Sequence, residues 1–335
     1  MNQIAVVILN YNGQKHLADF LPSVIKYSSC ATIYIADNAS TDASLALLKT
    51  EFPTVNIIEL TENHGFAQGY NEALALVEAE YYVLLNSDVE VTPHWIEPII
   101  ELMNNDKTIA ACQPKIKAYD QKSHFEYAGA AGGFIDHLGY PFCRGRIFQE
   151  IEEDLGQYND NKEVFWATGA CMFVRADVFH QVGGFDGDFF AHMEEIDLCW
   201  RIHHAGYKVY TCGTSEVFHV GGGTLHKSNP YKTFLNFRNG LAMLYKNHPE
   251  EGFALAILTR LVLDGVAGIK FLFFDTWQDC WAVARAHFDF YAHYFSWYNK
   301  RKQLQRKKNI STVYRRNIVW QHFVNDVKTY PEIPQ

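Results

Sequence analysis

Apolar positions in the first hundred residues fall in short blocks separated by amphipathic stretches. Residues 4–9 (IAVVIL) form an unbroken apolar run, too short for a core helix and rich in β-branched side chains, which predicts a buried strand. With no basic stretch before it, the run reads as a first strand and not as a signal segment. Residues 14–27 follow with Leu17, Phe20, Leu21 and Val24 at helical spacing. Residues 32–36, 55–60 and 81–85 predict three more strands, with helices over 42–52 and 66–79 between them. Strands alternating with helices predict an α/β fold whose central sheet is mostly parallel and flanked by helices. In such sheets a ligand sits outside the carboxyl ends of the strands.

That rule directs attention to the loops after the four strands: Asn10-Tyr11-Asn12-Gly13, Asp37-Asn38-Ala39-Ser40, Glu62-Asn63-His64-Gly65 and Asn86-Ser87-Asp88. Any one of them reads as ordinary helix-capping chemistry. Four polar loops on one edge read as a binding rim. Asp88, just past the strand that opens YYVLLNSDVEVTP, is suited to holding a hard divalent cation, Mg2+ or Mn2+, beside a diphosphate.

The next region, from residue 109 to about 217, carries glycine-rich turns and then VFWATGACMFVR (164–175). Alternation of Phe165, Ala167 and Gly169 predicts a strand that approaches a crowded place. A helix starting at Glu194 or Glu195 should run to His204 and stop at Gly206, with Leu198, Arg201 and Ile202 inward. Glu194, Glu195 and Asp197 are ordinary acids for a helix N-terminus. Their mutual repulsion also raises the proton affinity of at least one, which suits a general base. A short strand, 216–224, ends in His219 and the glycines 221–223. His219 reads either as a satisfied strand histidine or as a second metal ligand, with Asn86 nearby. Gly222 and its neighbours let backbone N–H groups approach a pyrophosphate.

Beyond residue 230 the chain is helical and aromatic. Residues 253–274 place Arg260, Asp264 and Lys270 within about 120° of a helical wheel, so this helix is amphipathic. Residues 282–298 are crowded with rings, and KRKQLQRKK follows. The net charge of −9 argues against a nucleic-acid partner. Residues 290–325 nevertheless contain no acid and eight basic residues, so the tail reads either as an anionic membrane contact or as a helical hairpin packed on the body. Seven cysteines without a CxxC pair fit a reducing compartment.

The pieces VVILNYNG, IADNASTD, ENHGFAQGYN, LLNSDVEVTP, ATGACMFVRADVF, GGFDGDFFAHMEEIDLCWR and VFHVGGGT occur in an order that resembles the family 2 inverting glycosyltransferases of GT-A fold, near the bacterial rhamnosyltransferase-like group. The resemblance covers about residues 1–245 and leaves 246–335 as a helical extension. It implies that Asn10 and Asn12 line the nucleotide loop, that Asp37 contacts the base, and that Asn63, Gly65 and Asn71 line the ribose and diphosphate side. It implies Asp88 as the metal-binding end of an Asp-X-Asp motif, here Asn86-Ser87-Asp88, with His219 contacting metal or diphosphate. Glu195 falls where the family carries its catalytic acid, with Glu194 second. The implied donor is a nucleotide-diphosphate sugar, dTDP-rhamnose first and UDP-hexoses next. The implied acceptor is a glycan or polyprenyl-diphosphate-linked glycan, met at the cytoplasmic face of the cell membrane. A dehydrogenase would need GxGxxG after the first strand, where NYNGQKH stands. A nucleotide-binding regulatory module would need neither Glu195 nor His219, and an inactive membrane scaffold is separated only by activity.

Overall fold

A computed structural model describes residues 3–221 and 229–334 of the chain. The first half alternates as its pattern predicts: β1 (Ile4–Asn10), α1 (Gln14–Tyr27), β2 (Thr32–Asp37), α2 (Ser44–Glu51), β3 (Asn56–Glu59), α3 (Gly65–Leu74) and β4 (Tyr81–Asn86). Strand residues point alternately to the two faces. Ile4, Val6 and Ile8 of β1 therefore join Leu17, Leu21 and Val24 of α1 in one core. Ala5 and Val7 face a second core with Ala67, Tyr70 and Leu74 of α3. A strand buried on both faces has no polar alternation, which is why IAVVIL is continuous.

After β4 come β5 (Val89–Val91), α4 (Glu97–Asn105) and β6 (Ile109–Ala118). Four short strands follow, β7 (Gly133–Asp136), β8 (Pro141–Cys143), β9 (Arg146–Ile147) and β10 (Glu150–Ile151). The chain then returns to the main sheet with β11 (Asn161–Val164), β12 (Cys171–Arg175), α5 (Ala176–Gln181), α6 (Glu194–Ala205) and β13 (Lys208–His219). Among the described residues the main sheet is ordered β11-β13-β6-β12-β4-β1-β2-β3, with β5 on the end of β13. Strands β1 to β4 are mutually parallel, as are β6 and β13, while β12, β11 and β5 run against their neighbours.

Three expectations change. The 164–175 stretch is two strands, because 165–170 leaves the sheet: a side chain at Gly169 would meet the Phe66 ring at 3.1 Å. Helix α3 stops at Leu74, short of the expected residue 79, and β13 begins at Lys208 and not at 216. That strand ends at His219, and Gly221 lies past it.

The remaining elements are α7 (Pro230–Asn247), α8 (Phe253–Phe274), α9 (Trp277–Ala292), α10 (Tyr294–Gln303), β14 (Val313–Tyr314) and α11 (Ile318–Phe323). Strand β14 adds to the small sheet beside β7, and the Ile318 amide donates to buried Asp136. Much of the basic run is used internally. Lys300 bonds Asp186 and Asp188, Arg301 donates to the carbonyls of Tyr245 and His248, and Arg306 bonds Glu250. These three cations hold the tail to the body.

Candidate active site

The four strand-end loops meet. Asn10 is fully buried, and its Nδ2 donates to Asp37 Oδ2 at 3.1 Å and to Ser40 Oγ at 3.2 Å. Asn12, at φ 51°, accepts on Oδ1 from the Thr41 amide at 2.7 Å. Asn38 Nδ2 donates to Asn63 Oδ1 and to the Gly65 carbonyl, both at 3.0 Å. A side chain at Gly13 would lie 3.5 Å from Ser87 Oγ, so the first and fourth loops touch. Asn10 Oδ1 is buried without a partner, an acceptor left over beside Gly13.

Asp88 sits at a corner. Strand β4 pairs with β1 and β12, but β5, after the Ser87–Asp88 turn, pairs with β13. That switch sets Val89 opposite His219, and the Val220 amide donates to the Asp88 carbonyl at 3.1 Å. His219 Nε2 is 3.2 Å from Asp88 Oδ1 and 3.4 Å from Asn86 Nδ2. On the other side of the ring, Nδ1 is 3.2 Å from Glu126 Oε2. Burial opposes charge on the ring, yet Asp88 and Glu126 outweigh it and push His219 up to about 10. Burial likewise opposes charge on Asp88 and Glu126, and the His219 ring more than compensates, holding both carboxyls below their ordinary values. Gly221, at φ 72°, passes so close to Glu126 that a side chain would meet Oε1 at 2.5 Å. Gly222 lies outside the described residues.

Among the described residues no group of three or more His, Cys, Asp or Glu is arranged as a metal cage. The pair that is present suits a cation shared with phosphates, which takes only one or two protein ligands. A ligating histidine characteristically gives its other nitrogen to a carboxylate, and Glu126 stands there.

Three carboxylates at the start of α6 have different surroundings. Asp197 is fully buried, receiving Arg201 Nε at 2.9 Å, Asn247 Nδ2 at 2.8 Å and Lys246 Nζ at 3.0 Å. Burial opposes its charge, but Lys246 and Arg201 prevail and hold its carboxyl down. Glu194 is buried, and burial followed by the charge of Glu195 pushes its carboxyl well up. Glu195 is half-buried, and burial raises it to about 7. Neither Glu194 Oε2 nor Glu195 Oε2 has a partner. Glu195 reaches the rim across Gly169: a side chain there would sit 3.9 Å from Glu195 Cβ, and the next carbonyl, Ala170, accepts from the Asn86 amide at 3.0 Å.

The loop entering α6 is strained. Phe190, His192 and Met193 have φ of 62°, 69° and 71°, a region costing on the order of 1–3 kcal/mol for residues with side chains. One buried amide holds it: Asn239 Nδ2, from α7, donates to the carbonyls of Phe189 (2.9 Å), Ala191 (2.9 Å) and His192 (2.7 Å). Arg238 Nε donates to Asn239 Oδ1 at 2.7 Å, which fixes the amide's orientation. The Phe190 carbonyl in turn accepts from the Phe66 amide at 2.7 Å, tying this loop to the third rim loop. Its ring lies over Gly65, where any side chain would collide at 2.4 Å.

Asn10, Asn12, Asp37, Asn63, Gly65, Asn86, Asp88, His219 and Glu195 thus share one rim, with Glu194 turned inward behind them. Asn71 is placed differently, both ends of its amide being taken by the backbone of Phe185 at 2.9 Å. Glu126 and Asn239 escaped the sequence reading. Glu126 lies in a loop without periodicity, and Asn239 looks like any polar residue of an amphipathic helix.

This architecture is that of the GT-A glycosyltransferases. A crystal structure of GalNAc-T7 with UDP, GalNAc and Mn2+ superposes with a TM-score of 0.58 at 18% identity, over 75% of this chain and 49% of that one. Staphylococcus aureus TarS 1-349 gives 0.55 at 14% identity, over 86% and 80%. The sequence pattern defining Glycosyl transferase family 2 matches residues 5–183, and the protein belongs to that family. It is similar to N-acetylglucosaminyl-diphospho-decaprenol L-rhamnosyltransferase of Mycobacterium tuberculosis, 26% identical over 235 residues, 64% of this chain and 75% of the relative. It is also similar to the Haloferax volcanii low-salt glycan biosynthesis hexosyltransferase Agl10, 22% identical over 71% of this chain and 74% of that one. The protein is a glycosyltransferase.

Proposed function

We propose that this glycosyltransferase moves a sugar, rhamnose from dTDP-rhamnose before a hexose from UDP, onto a hydroxyl of a polyprenyl-diphosphate-linked glycan, with inversion at the anomeric carbon. The observation that carries the reading is the half-buried Glu195, its Oε2 without a partner, across one residue from the Asn86–Asp88 corner. The rhamnose and lipid-linked acceptor are supported by what the mycobacterial relative is named for. In this reading residues 1–245 are the transferase domain, 246–335 attach it peripherally at the cytoplasmic face of the membrane, and Asn71 braces the site without touching the donor.

Asn10, Asn12 and Asp37 hold the base side of the donor, and Asn63 and Gly65 the ribose and diphosphate. Asp88, together with His219 once its ring gives up the Nε2 proton, would hold Mg2+ or Mn2+, which would supply positive charge to the departing diphosphate. Glu195 takes the proton from the acceptor hydroxyl. The acceptor oxygen forms its bond to the anomeric carbon as the bond to the diphosphate oxygen breaks, and that electron pair leaves with the nucleotide. Burial makes Glu195 a stronger base than an exposed carboxylate while leaving it ionised above about pH 7.

Calorimetric titration with dTDP, UDP and GDP, with and without Mg2+ or Mn2+, tests the donor half. One nucleotide should bind selectively and more tightly with metal, and Asp88→Ala should remove the metal increment and cut transfer roughly a hundredfold or more. Glu195→Gln should bind that nucleotide normally and lose about 10²–10⁴ in rate. Because the base must be unprotonated, the wild-type kcat/KM should fall about tenfold per unit below pH 7. Undiminished transfer by Asp88→Ala with normal metal dependence refutes the assignment.

A further inference from the structure

Helix α8 is built inside out. Arg260 and Asp264 are buried, Arg260 Nε donating to Asp264 Oδ1 at 2.8 Å and Tyr140 Oη to the same oxygen at 3.1 Å, with His287 of α9 3.2 Å from Oδ2. The opposite face carries Leu255, Leu258, Val262, Val266, Ile269 and Phe273, each more than half exposed. Their spacing of three and four residues makes one straight stripe, about 27 Å long from Leu255 to Phe273. Exposed rings extend it: Phe274, Trp277 and Trp281 around the turn into α9, then Phe288 and Phe295. A monomer rarely leaves so large an apolar surface in water.

We propose that this face of the α8–α9 hairpin lies in the surface of an anionic lipid bilayer, parallel to the membrane plane, with the stripe at the boundary between headgroups and acyl chains. The cations around it point to lipid. Lys270 stands one turn from Phe273 and Phe274, with its Nζ 5.1 Å from the centre of the Phe323 ring, beside exposed Trp320 and Val324. Arg285 stands between Trp281 and Phe288 on α9, and Lys302 lies over the Tyr298 ring. None of the three has a carboxylate partner among the described residues, unlike Lys300, Arg301 and Arg306. Of the nearby acids, Asp264 faces inward, Asp279 is held by Thr233 and Thr276, Asp289 lies beside Arg238 and His293, and Asp275, exposed in the turn between Phe274 and Trp277, offsets only one of the three cations. Apolar stems and rings with cations at their edge match a headgroup layer. A second copy would bring the same uncompensated fringe of positive charge against itself. Among the described residues no helix is long and apolar enough to cross a membrane, and the stripe runs along one side of α8, so the hairpin lies on the bilayer.

The inference deepens the lipid-linked acceptor reading, but it rests on the hairpin's own residues and is tested without turnover. The full chain is sedimented with vesicles of phosphatidylcholine alone or with one third phosphatidylglycerol. Wild type should pellet with the anionic vesicles. Val262→Glu with Val266→Glu should lower partition at least tenfold with unchanged thermal stability. Lys270→Glu with Arg285→Glu should lose the anionic preference, about fivefold per cation. Nucleotide binding, measured on the same samples, should be equal in all, so failure of the donor site shows separately. The proposal falls if wild type stays in solution with both vesicles or if the Val262/Val266 variant binds as wild type does. It also falls if light scattering shows a lipid-indifferent dimer that this variant dissociates.

Discussion

Helices α1 and α8 each carry an apolar stripe along one side, and the two stripes are set into the molecule the opposite way round. In α1, Leu17, Phe20, Leu21 and Val24 enter the core and the polar side meets water. In α8 the apolar stripe is outside, and Arg260 and Asp264 enter. A helical pattern therefore says which side is apolar, not which side is inward. The difference is made by what waits beneath. Under α1 lie Ile4, Val6 and Ile8 of β1. Under α8 lie the Leu138 carbonyl, the Tyr140 hydroxyl and the His287 ring, and α7 carries Gly240, where a side chain would come within 2.9 Å of Arg260.

Removing one member of the buried group should have the largest effect. Burial opposes the charge of Asp264, but Arg260 and His287 hold its carboxyl below the ordinary range. Asp264→Ala strands Arg260 in the interior and should cost about 3–5 kcal/mol in urea unfolding. Replacing both, Arg260→Met with Asp264→Leu, should restore most of the loss, because a well-packed apolar pair needs no desolvation. A cost near zero for Asp264→Ala would mean that this face meets water and that α8 is oriented like α1.

A matched pair of truncations sharpens the same point at smaller cost. Leu21, 1% exposed, and Leu258, 60% exposed, are both leucines in mid-helix. Leu21→Ala should destabilise by about 2–5 kcal/mol, from lost burial and the cavity left behind. Leu258→Ala should stay within about 0.5 kcal/mol in solution, yet weaken vesicle binding. Equal costs would show that both leucines are covered in the free protein.

The same distinction explains how much could be read in advance. The alternating first half was legible because strands buried on both faces and helices with one apolar stripe have unmistakable periods. The rim was legible because its polar loops follow those strands. Glu126 became visible only when β13 brought His219 beside it, a contact between residues 93 positions apart. Asn239 became visible only through the three carbonyls it holds, none of which has a side-chain signature. Two-residue β14 is too short for a period to show, and its pairing with β7 is set by the path of the tail. The orientation of α8 depended on partners distant in sequence and left no local trace.

The least costly test compares two buried acids. Asp264 has Arg260 on Oδ1 and the His287 ring 3.2 Å from Oδ2, whereas Glu195 Oε2 meets neither a donor nor a cation among the described residues. Removing charge at the first position should destabilise the protein, and at the second stabilise it. The sign follows from linkage. Burial raises Glu195 from its ordinary 4.5 to about 7, so the folded state holds a proton that the unfolded state has released. Its contribution is favourable in acid and is lost as pH rises through about 7. Glu195→Gln keeps the shape and removes the titration, so its advantage over wild type should grow between pH 5 and 7 and then level off. On the order of 1–2 kcal/mol is expected at the plateau, because the carboxyl is only half-buried. Melting temperatures of both proteins from pH 5 to 8 give the answer. If the curves run parallel, Glu195 is not held in a medium that disfavours its charge, and its fitness as a base must come from the bound substrate.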